Sequence, residues 1–292
     1  MKKATKFLYL IPAVLLFGAP VSQANESYQA TVNGIYTNTD NDDDVEITIL
    51  ALGGQYYFKP VSVANGPYGE AGFLNRQSSV IGAIGTVDVD IFTETLSGTS
   101  FILGFEYADP SQPITAGVIY NYASADKTIS GINVELTLDS VLVQLGYHIT
   151  RNSRVTFEVS QSDTEIKVEG PTPDQKGESD SYGLSYKNVM ELGGDQFFNV
   201  EAGITMTEND ENDKNNEIAV LGDYYFNRGA SVRAGYAINS GDDIFEEGNT
   251  LLIGANFFLQ QNVSVGLEIE KFSADENNND EDTINLEIEA RF

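Results

Sequence analysis

The side chains able to do chemistry in this chain are mostly carboxylates, spread between apolar residues rather than gathered into compact motifs. Glu70, Glu106, Glu158, Glu201, Glu217, Asp223, Glu268, Glu270, Glu287 and Glu289 sit at such positions, as do Arg76, Lys187, Arg233, Arg291, Gln144 and His148. Glu268 and Glu270 are two residues apart, which puts them on one face of an extended segment. Pairs of this kind set an electrostatic field, and nothing around them marks the proton-tuned acid and base that glycoside hydrolysis requires. His148 is the sole histidine and lies near a predicted tight turn, so no Ser-His-acid arrangement is expected and the chain reads as non-enzymatic. Asp40, Asp42 and Asp44 space their oxygens somewhat like a calcium loop, but the glycine at the sixth position and the glutamate at the twelfth are missing. A solvated, self-repelling loop is the default there, with divalent bridging the weaker alternative.

The elements that must position these groups are β-strands. The final stretch, Thr283 to Phe292, has Ile284, Leu286, Ile288, Ala290 and Phe292 apolar at every second position, with Asn285, Glu287, Glu289 and Arg291 between them. The same period of two recurs in Val141 to Ile149, Phe198 to Met206 and Val263 to Ile269. About fourteen such runs follow Ser27, over 27–37, 45–58, 68–79, 96–107, 114–124, 134–149, 154–167, 181–189, 197–207, 216–226, 230–239, 250–259, 263–272 and 282–292. Odd-numbered connections read as longer and acidic (39–44, 208–213, 241–247, 275–282) and even-numbered ones as tight (109–113, 150–153, 227–229, 260–262). That alternation puts all long loops on one rim and all short turns, with both termini, on the other. Phe105, Tyr107, Tyr147, Phe197, Phe198, Tyr224 to Phe226, Phe257 and Phe258 adjoin the short turns, where an interfacial girdle would lie. Residues 78–95 stay open: more strand, or a segment folded into the interior.

The amino terminus reads as an export leader, with Lys2, Lys3 and Lys6, an apolar run from Phe7 to Phe17 and a Ser22-Gln23-Ala24 cleavage site, so the Sec pathway and a mature start near Asn25 are expected. The remaining 25–292 form one unit. No later apolar run approaches the ~20 residues of a spanning helix, so any membrane crossing must be by a closed barrel. Cysteine is absent, which leaves no disulfide or thiolate metal site, and no cofactor is expected. The net charge is −28, and because the leader removes three lysines and no acid the mature chain carries −31, which excludes nucleic-acid binding and favours cations.

Ending on an alternating strand with a terminal Phe resembles bacterial outer-membrane β-barrels. That resemblance implies that Leu286, Ile288, Ala290 and Phe292 close the barrel against the first strand and are read by the barrel assembly machinery. Gly66-Pro67-Tyr68-Gly69-Glu70-Ala71-Gly72-Phe73-Leu74-Asn75-Arg76, running into Ser78-Ser79-Val80, resembles a stretch in general bacterial porins of marine gammaproteobacteria. The implied protein is an all-β, antiparallel up-and-down transmembrane barrel in the cell outer membrane, among lipid and lipopolysaccharide, passing small hydrophilic solutes through water. The polar residues named above would line the bore, and their excess of acids predicts a preference for cations. The alternative is a non-conducting barrel acting as surface receptor, adhesin or structural protein through its acidic loops. Oligomeric state is left open.

Overall fold

The computed structural model describes residues 27–41, 45–91, 94–129, 132–169, 174–210, 213–241, 247–274 and 280–292. The leader and Asp42 and Asp44 of the candidate calcium loop lie outside these. Fourteen antiparallel strands form one closed barrel in sequence order: β1 Ser27–Asn41, β2 Val45–Ser62, β3 Ser79–Ile91, β4 Glu94–Ala108, β5 Ile114–Ile129, β6 Ile132–Thr150, β7 Ser153–Val168, β8 Gln175–Gly193, β9 Gln196–Asn209, β10 Lys214–Asn227, β11 Ala230–Gly241, β12 Gly248–Gln260, β13 Val263–Ala274 and β14 Glu281–Arg291. The expected strand count and fold class hold. β14 closes against β1 in unbroken register from Thr31 opposite Arg291 to Asn41 opposite Glu281. The Phe292 carbonyl accepts the Gln29 and Ala30 N–H groups, so the last residue belongs to the seam.

The period-two pattern sets which face meets which solvent. Leu103, Leu145, Leu184, Ile218, Ile253 and Leu286 point outward and are exposed, an apolar band that none of the described residues covers. No described helix is long and apolar enough to cross a membrane, and the barrel leaves no backbone edge unpaired.

Two expectations are corrected. Residues 68–79 are not the third strand: a 3-10 turn at Tyr68–Glu70 runs into α1, Ala71–Asn75, and β3 begins at Ser79. Pro67 fixes its own backbone at φ −65°, and Gly66 before it takes φ +109°, a turn only glycine makes cheaply. Together they turn the chain out of β2, while Val80 to Val89 supply the alternation that pairs 13 residues of β3 with β2. The strict alternation of long and short connections also fails. The segment from 63 to 78, on the rim that carries both termini, is the longest excursion between described strands, whereas β3 ends at Ile91 and β4 resumes at Glu94.

A third difference lies inside the barrel. In the half of β2–β5 away from the termini, the inward residues are Ile47, Ile49, Ala51, Val87, Val89, Leu96 and Ala125, all buried in one cluster with Ile35, Val45 and Val134 against it. The outward positions there are polar or acidic: Glu46, Asp88, Asp90, Ser97, Asp126 and Glu135. Polarity is therefore inverted relative to the lipid-facing band, as in a water-soluble sheet with a dry interior. The backbones of β4 and β5 approach closely here. At Gly98, paired with Ala125, an added Cβ would lie 1.8 Å from the Ser124 carbonyl oxygen, so only glycine fits. Of the strands concerned, β2 has 18 residues, β4 15 and β5 16, against 12 in β13 and 11 in β14. A membrane crossing takes roughly 9–11 residues, so the surplus forms a one-sided crown.

Candidate functional site

The segment expected as a strand is instead a plug across the bore at the rim of the termini. Its first residues are held by one side of the barrel: the Tyr68 N–H donates to the Arg228 carbonyl at 2.7 Å, Arg228 Nε donates to the Gly66 carbonyl at 2.9 Å, and Arg291 Nη1 donates to the Tyr68 carbonyl at 2.6 Å. The Tyr68 ring packs edge-on to Phe258, and its hydroxyl accepts from Gln261. Its far end is held by the other side. Arg76 donates to the carbonyls of Pro110 at 2.9 Å and Gln112 at 3.4 Å, in the turn where Asp109 accepts both the N–H and the hydroxyl of Ser111. Those two bonds hold the exposed Asp109 carboxyl below its ordinary range. Underneath, Tyr28, Tyr57, Val61 and Val63 bury Ala71.

At the centre stands Glu70, buried to 4% exposure. Lys187 Nζ lies 2.9 Å from Glu70 Oε2 and 2.7 Å from Glu201 Oε1, and the Tyr225 hydroxyl donates to Glu70 Oε1 at 3.2 Å. Asn199, fully buried, donates to Glu201 at 2.9 Å and Asp223 at 3.1 Å. Arg233 then bridges Asp223 at 2.8 Å and Glu268 at 3.1 Å. Oxygens of Glu70, Glu201 and Asp223 fall within 4.8 Å of one another, a spacing that could hold a metal ion. Here the ammonium of Lys187 and the guanidinium of Arg233 supply the positive charge. Glu70 and Asp223, the two buried carboxylates, persist as charges only when paired in this way, while Glu201 and Arg233 keep contact with water.

Phe73 of α1 is the other anchor. Its ring lies 5.6 Å from that of His148 and beneath two cations, Arg154 at 5.4 Å and Lys187 at 5.2 Å. Beside it is a chamber of about 360 Å³ whose charged lining mixes Glu70, Glu106, Glu201 and Glu289 with Arg76, Arg154, Lys187 and Arg291.

Every residue expected to line the bore has the inward parity of its strand or lies on the plug. Glu106 pairs with Arg154 at 3.5 Å, Glu289 with Arg291 at 2.5 Å, Gln144 with Glu158 at 2.9 Å and Asn33 with Glu287 at 2.6 Å. Glu217 and Glu270, higher in the bore, have no ion-pair partner among the described residues. Asp40 is exposed near the opposite rim. The girdle is partly corrected: Phe105, Tyr107, Tyr147, Phe226 and Phe257 face outward, but Phe197 and Tyr225 are buried inward and Phe258 packs on the plug. Tyr56 and Phe58 of β2 join the outward ring, Phe58 lying 6.2 Å from Phe105.

Sequence reasoning missed Arg154, Phe73, Tyr225 and Arg228. Arg154 shares parity with Glu158 and was legible on that ground. The others act only through the plug, whose one signal was the loss of alternation in Gly69-Glu70-Ala71-Gly72.

A family profile described as "Putative general bacterial porin" matches residues 1–292. The chain belongs to this porin family. Among solved structures, the porin resembles the Acinetobacter baumannii outer membrane protein Omp33 at 22% identity, covering 91% of this chain and 99% of that one with a TM-score of 0.60. It also resembles CdiB from Acinetobacter baumannii at 8% identity, covering 89% of this chain but 60% of that one, with a TM-score of 0.55. At these identities the likeness is one of fold, an outer-membrane barrel. No curated protein matches.

Proposed function

We propose that this porin is a diffusion channel for small hydrophilic solutes that prefers cations, and that the segment from 63 to 78 is a movable closure at its periplasmic end. The observation that carries the cation preference is the surplus of inward carboxylates: Glu158, Glu217, Glu270 and Glu287 hold no ion pair among the described residues, while Lys187, Arg233, Arg154 and Arg291 are each already paired with an acid. A potential of that sign concentrates cations in a narrow wet passage. Closure by the plug is supported by its reach from Arg228 and Arg291 on one side to Pro110 on the other. Its polar bonds are of the kind water can replace, each worth a net ~0.5–1.5 kcal/mol when neutral.

The crown narrows the opposite mouth on one side only. Its dry cluster occupies the β1–β6 sector, which leaves the acidic β9–β14 wall as the path for solutes.

The test is the reversal potential of the reconstituted protein across a potassium chloride gradient, for wild type and for a variant with residues 64–77 replaced by a short Gly-Ser linker. A potential on the potassium side, with larger conductance in the linker variant, is expected. A potential on the chloride side overturns the cation preference. Absence of conductance in both proteins overturns the channel and favours a non-conducting barrel that works through its acidic loops.

A further inference from the structure

We propose that His148 is a proton switch for the plug, such that a proton taken up by its imidazole opens the periplasmic end of the bore. This rests on the plug being the movable closure proposed above. His148 is 4% exposed, and neither of its ring nitrogens has a hydrogen-bond partner among the described residues. What shields it is the plug itself, through the Phe73 ring at 5.6 Å.

The groups that face the imidazole from each element make a positive charge unwelcome there. Arg154 stands directly opposite on β7, and Arg76, at the end of the plug, lines the same chamber. From β5 the neighbouring inward side chain is Thr115, which is uncharged. Glu106 on β4 is spent on Arg154 at 3.5 Å, and Lys187 lies on the Phe73 ring at 5.2 Å. No carboxylate touches the imidazole among the described residues. A proton on His148 in the closed state would therefore be desolvated, unbonded and repelled by two guanidinium groups.

Withdrawal of the plug removes Phe73 and Arg76 together and lets water reach both nitrogens. The open form then binds a proton with the ordinary affinity of histidine, near pH 6.5, while the closed form stays neutral. The sign follows from linkage: the form that binds protons more tightly gains population as pH falls. Between pH 7.5 and 5.0 the open-to-closed ratio rises by about 30-fold if the closed form takes up no proton. The single histidine of the chain thus stands at the one contact where its charge and the plug exclude each other.

The experiment is swelling of proteoliposomes in a neutral pentose at pH 7.5 and 5.0, a readout that the charge of the bore does not bias. Wild type, His148→Gln, His148→Phe and the linker variant of residues 64–77 are compared, with heat-dependent gel migration reporting that each barrel is folded. The expected result is a wild-type rate that rises by about 30-fold in acid while the open form is rare, flat rates in both histidine variants and fast, pH-independent swelling in the linker variant. An acid response that survives in His148→Gln and His148→Phe overturns the switch. So does a wild type that fails to respond while the linker variant swells fast at both pH values. If the linker variant is no faster than wild type, the movable plug itself is wrong and the switch falls with it.

Discussion

Replacing Lys187 with Met should throw the plug open. The substitution keeps most of the unbranched side chain and removes the ammonium that lies 2.9 Å from Glu70 and 2.7 Å from Glu201. Asp223 keeps Arg233 at 2.8 Å, but Glu70 and Glu201 are left facing each other with oxygens no more than 4.8 Å apart. Two unit charges at that separation repel by about 3 kcal/mol at an effective dielectric of ~20. Removing one partner of a buried pair costs about 3–5 kcal/mol by mutational precedent. Because Glu70 leaves with the plug while Glu201 stays on β9, opening relieves nearly all of this. At ~1.4 kcal/mol per factor of ten, the open-to-closed ratio should rise by about 10²- to 10³-fold. A carboxyl can instead take up a proton, so the effect should be largest near pH 8 and shrink in acid. The assay is single-channel open probability at pH 8, with heat-dependent gel migration confirming a folded barrel. Adding Glu70→Gln to Lys187→Met removes the repulsion and should restore closure. An unchanged open probability in the folded single variant, or no rescue in the double variant, would refute the account of the plug.

Two further outcomes test other parts of the molecule. Glu217→Gln and Glu270→Gln together should move the reversal potential toward that of an unselective pore while changing unfolding free energy by no more than about 0.5 kcal/mol, since neither carboxylate holds an ion pair among the described residues; an unmoved potential would locate selectivity elsewhere. Leu96→Ala, which empties a 6%-exposed site in the crown, should cost about 2–4 kcal/mol in urea unfolding and make the β3–β4 hairpin protease-sensitive, whereas a loss under ~1 kcal/mol would mean that the crown is not a packed core.

Much of the barrel was legible because its information is local. Leu286, Ile288 and Phe292 alternate with Glu287, Glu289 and Arg291 in the sequence itself, and a strand has only two faces, so a period of two separates lipid from bore without any long-range knowledge. The parity that put Lys187, Glu201 and Arg233 inside follows from the same rule. What alternation does not encode is depth along the strand or the partner across the bore. Ile47, Ile49, Val87 and Val89 read as ordinary apolar strand positions, yet they face inward, because beyond the membrane the outer side meets water and the apolar side must find a dry interior of its own.

The sequence alone determined the strand-built wall, its apolar exterior and its acidic interior, since each depends on residues two apart or on sums over the chain. Tertiary structure alone decided that Gly66 to Arg76 leaves the wall and lies across the bore. That choice depends on Arg228, Arg291, Tyr225, Lys187 and Phe258, which lie more than 100 residues away and converge only once the cylinder has closed. A contact between distant segments has no local period to announce it, so the plug, and with it the state of the channel, is a property of the closed barrel.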